Sequence, residues 1–190
     1  PWEMQHPPAE LVDLLESGKL KKGSALDVAC GTGNYTYYLA DQGFDIIGID
    51  FSQKALNLAR KRLQDKKLAI RFVEGDVTKL GAYFVSEQFD FILDYSILHH
   101  IEPKDLAAYA SQFADLLKPG GKLLLVCYSD NAEYSGGRSS AKGKYGNDMF
   151  YRTASEIRHA YRSLRELDYK TTKLGKRLHN AGYCFLFEKA

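Results

Sequence analysis

Cysteine is scarce in this chain, with three in 190 residues, and the three stand far apart at Cys30, Cys127 and Cys184. That spacing excludes a disulfide-dense scaffold and any cysteine metal knuckle. Each thiol lies in an apolar run, which predicts buried, reduced core residues and a cytosolic protein. Long apolar runs are lacking too. None approaches the roughly 20 residues needed to cross a bilayer, and the opening PWEMQHPPAE has no signal-peptide pattern. A dominant charge is also missing: 26 basic against 24 acidic side chains leave +2, so no field favours nucleic acid or an anionic membrane. What is present, 45% apolar and 26% charged residues, is the composition of a soluble globular protein, and 190 residues suffice for one domain with a full core.

The most informative stretch is Ala25 to Thr36, ALDVACGTGNYT. Leu26 and Val28 are strand residues, Gly31 and Gly33 lack the β-carbon that would hold a ligand off the backbone, and Tyr35 to Ala40 reads as a helix. A strand, a tight turn and a helix start leave unpaired N–H groups at the positive end of the helix dipole. A nucleotide-like cofactor fits such a turn.

Patterns along the rest of the chain alternate. A helix is expected from Ala9 to Ser17 behind Pro8, with Leu11, Val12, Leu14 and Leu15 as its apolar face. The first strand, Ser24 to Ala29, leads through the glycine turn to a helix from Asn34 to Gln42, stopped by Gly43. Phe44 to Ile49 reads as a buried parallel strand, and Ser52 as the N-cap of a helix running to about Leu63. Strands follow at Leu68 to Val73 and Phe89 to Leu93. A helix from Leu106 to Leu117 is terminated by Pro119-Gly120-Gly121, and Lys122 to Cys127 is a fifth strand. Such alternation predicts an α/β fold with a doubly wound parallel sheet. Asp50, Asp76 and Asp94 each fall just past a strand's C-terminal end, the edge where ligands bind in open α/β sheets.

Asp50 lies 19 residues beyond Gly31, near the roughly 20 at which an acid meets ribose hydroxyls. Asp76 is placed to reach an adenine amino group. These features fit a nicotinamide enzyme and an adenosylmethionine enzyme alike. Two details favour the second. The third glycine of G-x-G-x-x-G is replaced by Thr36, and Asp27 within the first strand would repel a pyrophosphate while attracting a cationic amino group.

ALDVACGTGNYT, IIGIDFS, VEGDV, FDFILDYSILHHI and LKPGGKLLLV, in that order, resemble the successive motifs of class I S-adenosyl-L-methionine-dependent methyltransferases, over about Leu26 to Cys127. The leader, with Trp2 and Pro7-Pro8, is similar to that of thiopurine and tellurite-resistance methyltransferases. The resemblance implies a Rossmann-like sheet of seven mostly parallel strands with one antiparallel strand inserted at the edge; Arg165 to Lys173 and Tyr183 to Lys189 would supply the last two, after a helix from Ala154 to Tyr161. It implies that Asp27 holds the methionine amino group and that Ala29, Gly31 and Gly33 form the turn under the cofactor, with Ala29 where the family usually has glycine. Asp50 would take the ribose hydroxyls, Phe51 would pack on adenine, and Asp76 with Val77 would flank its amino edge. Asp94 and Tyr95 would border the methionine end, and Trp2 and Ser52 complete the cofactor set.

For the chemistry, His99 and His100 follow the fourth strand and offer an imidazole near the reacting methyl group, or else simply cap or pack. Asp94, Asp130 and Asn131 suggest an oxygen-ligand metal site, but Asp130 stands too far past the fifth strand for that pattern, and no metal is expected. The aperiodic stretch from Asn131 to Asp148 reads as a lid or binding loop within 128–153. Its Arg138, Lys142 and Lys144 would attract an anionic acceptor. Tyr35, Tyr37, Tyr38, Tyr145 and Tyr151 would wall a flat or apolar one. The chain divides into a leader and helix (1–23), a cofactor core (24–127), the lid and a C-terminal part (154–190). The reading is an S-adenosyl-L-methionine-dependent methyltransferase acting on a small-molecule acceptor, possibilities for which are anionic or aromatic, and yielding S-adenosyl-L-homocysteine. The alternatives are an NAD(P)-dependent oxidoreductase and a non-catalytic adenosylmethionine-binding protein.

Overall fold

The computed structural model describes residues 7–63, 68–131, 135, 138–143, 146–174 and 180–190. Nearly continuous apolar runs form β1 (Ser24–Val28), β2 (Asp45–Asp50), β4 (Phe89–Tyr95) and β5 (Leu117–Tyr128), because each is covered on both faces. The shorter, more open β3 (Ile70–Glu74) runs parallel to β2 at one edge. A small antiparallel hairpin of β6 (Ser140–Lys142) and β7 (Asp148–Phe150) stands apart. β8 (Arg165–Leu174) and β9 (Asn180–Glu188) complete the main sheet, whose order is β3-β2-β1-β4-β5-β9-β8. β9 is antiparallel to both neighbours. The expected seven-stranded sheet is therefore present, with its antiparallel strand one place in from the edge.

Two layers of helices bury the two faces. Leu11 and Leu14 of α1 (Ala9–Glu16) and Leu39 of α2 (Asn34–Asp41) pack over Ala25, Ile46, Phe91, Leu93, Leu124 and Val126. α3 (Gln53–Leu63) joins that layer, the Tyr37 hydroxyl donating to the Ala59 carbonyl. On the other face, Leu80 of α4 (Leu80–Tyr83), Tyr109 and Phe113 of α5 (Leu106–Leu116) and Ile157 of α6 (Ala154–Ala160) pack over Leu26, Ile92, Leu123 and Leu125. β9 serves both layers: Cys184 and Leu186 enter the first, Phe185 and Phe187 the second. Each such fully buried side chain is worth about 1.5–3 kcal/mol against exposure.

Three sequence expectations change. Helix α5 does stop near Pro119-Gly120-Gly121, but those residues belong to the strand that follows. Gly120 takes a φ of +75° and donates its N–H to the Lys189 carbonyl at 2.8 Å, which extends β5 back to Leu117. The stretch read as aperiodic holds the β6–β7 hairpin among its described residues; strands of three residues are too short to show a period. Cys127 and Cys184 are buried free thiols as expected, but Cys30 is partly accessible in the glycine turn. Among the described residues no helix is long and apolar enough to cross a membrane.

Candidate active site

The glycine turn is fastened at the C-terminal edge of β1. Cys30 N–H donates to the Ile49 carbonyl at 3.0 Å and Gly33 N–H to the Cys30 carbonyl at 2.9 Å. Gly31 and Gly33 take φ values of +57° and +80°, and a β-carbon at Gly33 would crowd Phe72 and Tyr37 at 3.1–3.2 Å. At Gly31 a β-carbon would meet no protein atom within 4 Å. That face of the turn is an open cradle. Arg62 of α3 clamps the turn, donating to the Thr32 carbonyl at 3.2 Å and to Asn34 Oδ1 at 2.7 Å.

Asp50 ends β2 and reaches across to the turn. Its Oδ2 accepts from Gly31 N–H and its Oδ1 from Ser52 N–H, both at 2.8 Å, leaving one lone pair on each oxygen. Asp27 lies behind them, buried. Thr36 of α2 donates its hydroxyl to Asp27 Oδ2 at 2.6 Å. Burial, and to a lesser degree the Asp50 charge, push the Asp27 carboxyl up to about 7 against the pull of Thr36.

The outer part of the cradle is more exposed. Phe51 follows Asp50 with 76% of its surface open, an unusual state for so large an apolar side chain. Ser52 caps α3, its hydroxyl accepting from Ala55 N–H at 3.3 Å. Asp76 caps a short 3₁₀ turn, Val77–Lys79, accepting from Thr78 N–H at 2.9 Å and the Thr78 hydroxyl at 2.7 Å; these bonds hold its carboxyl below the usual range. Val77 is buried beneath it. Trp2 lies outside the described residues.

Asp94 departs from the sequence expectation. Val28 pairs with Asp94 in the sheet, yet the Asp94 side chain turns away from the edge into the α5 layer. It is fully buried; Tyr109 donates to its Oδ2 at 2.8 Å, and Oδ1 has no hydrogen-bond partner among the described residues. Burial raises this carboxyl to about 7. Tyr95, one residue on, takes the opposite face and packs edge-on against Tyr35 at 5.0 Å. Asp130 likewise is not brought to Asp94, because Tyr183 donates to its Oδ1 at 2.6 Å. Among the described residues, no three side chains of metal-ligating type converge.

Backbone strain collects at this edge. Ala29 and Ser96, both non-glycine, hold left-handed φ values of +57° and +63° immediately past β1 and near the end of β4. Such residues persist where their surroundings over-determine them, and they cluster at functional sites. Ser96 N–H donates to the Val126 carbonyl at 2.7 Å, starting the 3₁₀ segment Leu98–His100. His99 is buried with Nδ1 lacking a partner among the described residues, its ring 4.6 Å from that of Tyr128. Burial, then the neighbouring His100, hold it well below the ordinary histidine range, so it is neutral. His100 lies at the surface, its Nδ1 3.2 Å from Asn147 Nδ2 on the hairpin.

No local pattern around Arg152 marks it as a site residue. It is buried, sits over the Phe150 ring and donates to the Ile101 carbonyl at 2.7 Å, tying the hairpin's exit to the segment carrying both histidines. Among the expected attractors of an anion, Lys142 is paired with Asp148 at 2.7 Å, Arg138 is exposed, and Lys144 lies outside the described residues. Of the expected pocket tyrosines, Tyr37 is core and Tyr151 is buried, Tyr35 and Tyr38 are half-buried, and Tyr145 lies outside the described residues. A separate cleft of about 800 Å³, lined by Ser24, Asp45, Gln88 and Lys118, opens at the opposite edge of the sheet, remote from the glycine turn.

The family model described as a methyltransferase domain matches residues 25–121. Probable thiol methyltransferase 2 of Arabidopsis thaliana is 31% identical over 139 residues, 72% of this chain and 60% of that protein. Thiocyanate methyltransferase 1 of Brassica oleracea is 32% identical over 130 residues, 67% of this chain and 56% of that protein. The chain thus spans less than two thirds of the length of these curated relatives. A structure solved in work on the conversion of a disulfide bond into a thioacetal group during echinomycin biosynthesis superimposes with a TM-score of 0.81. It covers 100% of this chain and 84% of its own at 22% identity, a likeness of fold.

Proposed function

The chain belongs to the methyltransferase-domain family, and on that premise we propose that it moves a methyl group from S-adenosyl-L-methionine to a small-molecule acceptor. The observation that carries this reading is the pairing of Asp50 with the Gly31 turn in front of a buried Asp27. Two carboxylates behind an open glycine cradle would repel a pyrophosphate and favour a ligand bearing a diol and a cationic amino group. That argues against the nicotinamide alternative.

The residues present fit the cofactor. The free lone pairs of Asp50 would accept from the ribose hydroxyls, and exposed Phe51 would cover the adenine. Asp76, already oriented by Thr78, and Val77 would flank the adenine's amino edge. Asp27 would neutralise the methionine amino group, and Ala29, Gly31 and Gly33 would line the approach; Tyr95 would border the methionine end. Asp94 is given a supporting place instead, bracing β4 against Tyr109. When bound, the cofactor supplies an electrophilic methyl group whose bonding electron pair stays on sulfur as the acceptor's lone pair takes the carbon. What the protein adds is alignment and the exclusion of water.

Neutral His99 is a hydrogen-bonding and positioning group in this reading, because desolvation makes its charged form costly. Surface His100 is better placed to pass a proton to solvent where the acceptor carries one. Calorimetric titration tests the reading: S-adenosyl-L-homocysteine should bind and NAD should not. The reverse order would sink it. Binding without turnover on a broad acceptor panel would instead favour the non-catalytic alternative.

A further inference from the structure

Three tyrosines and two histidines lie in two contacting groups along the edge where the methyl group would be presented. Tyr35 stands on the first turn of α2, just past Gly33. Its ring meets that of Tyr95 at 5.0 Å and 69°. Tyr128, two residues beyond the Val126 that pairs with Tyr95, lies on the same face of the sheet and meets His99 at 4.6 Å and 63°. His99 in turn lies 4.1 Å from His100. Tyr35, Tyr95 and Tyr128 all pack on the face of the sheet that carries α1 and α2, and all three remain half-open. Tyr35 and Tyr95 have no hydrogen-bond partner for their hydroxyls among the described residues, whereas the unpartnered Nδ1 of His99 is buried beneath the edge.

The electrostatic surroundings narrow the ligand. Besides burial, the carboxylates of Asp27 on β1 and Glu10 on α1 push the Tyr35 phenol up, and Glu10 acts in the same way on Tyr95. Glu10 is itself buried and accepts from the Thr172 hydroxyl. With Asp27 balanced by the methionine amino group, Glu10 is the charge that resists an anion beside the rings. A methyl acceptor must also keep a lone pair, which a protonated amine lacks.

Resting on the methyl-transfer reading, we propose that the acceptor is an uncharged, planar aromatic or heteroaromatic molecule held on the Tyr35–Tyr95–Tyr128 strip. Edge-to-face pairs such as these expose ring faces and edges that a flat ligand can join. The hydroxyls of Tyr35 and Tyr95 then orient its heteroatom, leaving a lone pair toward the cofactor. Tyr128 is the specificity-determining residue, since the sheet register places it between the tyrosine pair and the histidine along this edge.

The test is direct binding to the protein saturated with S-adenosyl-L-homocysteine, read by calorimetry and by ligand-observed NMR. The probes are 4-hydroxyquinoline, the planar anion 2-naphthoate and the non-planar neutral cyclohexanol. 4-Hydroxyquinoline should bind at least ten-fold more tightly than either of the others. Tyr128→Leu should weaken it at least five-fold, and Tyr128→Phe should weaken it less than Tyr128→Leu, while both variants still take up S-adenosyl-L-homocysteine. Equal binding of the three probes, preference for naphthoate, no binding of the quinoline, or indifference to Tyr128→Leu would each overturn the proposal. Failure of the wild-type protein to take up S-adenosyl-L-homocysteine would overturn the methyl-transfer reading itself.

Discussion

Gly31 and Asp50 lie on different strand-to-helix connections, yet the Gly31 N–H donates to Asp50 Oδ2 at 2.8 Å. The acid expected to hold ribose thus also fixes the turn that would lie under the cofactor. Asp50→Asn should therefore damage both functions, because an amide has one accepting oxygen and cannot serve Gly31 and Ser52 together. Losing one charge-assisted bond costs about 1.5–3 kcal/mol, so affinity for S-adenosyl-L-homocysteine should fall by roughly ten- to hundred-fold in titration calorimetry. Retention of wild-type affinity would remove Asp50 from the site.

The buried carboxyls predict a pH dependence of stability. Asp27 and Asp94 each rise from 3.8 to about 7 in the folded protein. The native state therefore binds more protons than the unfolded chain between those values, and stability falls as pH rises across that interval. The contribution is complete below about pH 4 and is lost once pH passes about 7. Thermal melting should show a decline in Tm from pH 5 to pH 8. Asp94→Asn, permanently neutral, should flatten that decline.

Cofactor binding should run the other way with pH. A cationic amino group beside Asp27 favours its ionised form, so binding should release a proton and tighten between pH 6 and pH 8. Calorimetry of S-adenosyl-L-homocysteine in buffers of different ionisation enthalpy reads that proton directly. Asp27→Asn should abolish the release.

Ala29 carries a left-handed backbone that costs an L-residue about 1–2 kcal/mol. Ala29→Gly relieves this but adds freedom to the unfolded chain worth roughly 0.5–1 kcal/mol. The net effect should be a Tm increase of about 1–4 °C. Ala29→Val, β-branched at the same φ, should lower Tm by more than that.

Arg152→Ala leaves the Ile101 carbonyl buried without its donor, at a cost of about 1–3 kcal/mol. Amide exchange should become faster in Leu98 to Ile101 and in the hairpin, while β1 and β4 keep their protection. Uniformly faster exchange would show instead that Arg152 serves the whole fold.

Legibility in the sequence followed the length of each physical signal. β2 and β4 were visible as apolar runs, and the Ser52 cap of α3 was visible from residue type alone. β6 and β7 were not, since three residues cannot display a period. Asp94 illustrates a signal that was present but outweighed. Alternation from Ile92 puts Asp94 on the α5 face, whereas its place at a strand end suggested an outward role. Arg152 and the Ser96 twist left no local mark, because each depends on a partner distant in sequence: Ile101 for one, Val126 for the other. The aromatic strip was only half visible: Tyr35 stood out as part of a tyrosine-rich helix, but Tyr128 gained meaning only once β5 lay beside β4.

The placement of β9 bears on how the molecule is made. Its Phe185 and Phe187 serve one core and its Cys184 and Leu186 the other, and it pairs with β5 from Lys122 through Tyr128. During ribosomal synthesis, β5 therefore emerges long before its partner and waits with an unsatisfied flank rich in leucine and valine. Such a flank is a template for association between nascent chains. The interval between translation of Tyr128 and of Glu188 is when a chaperone would be most needed.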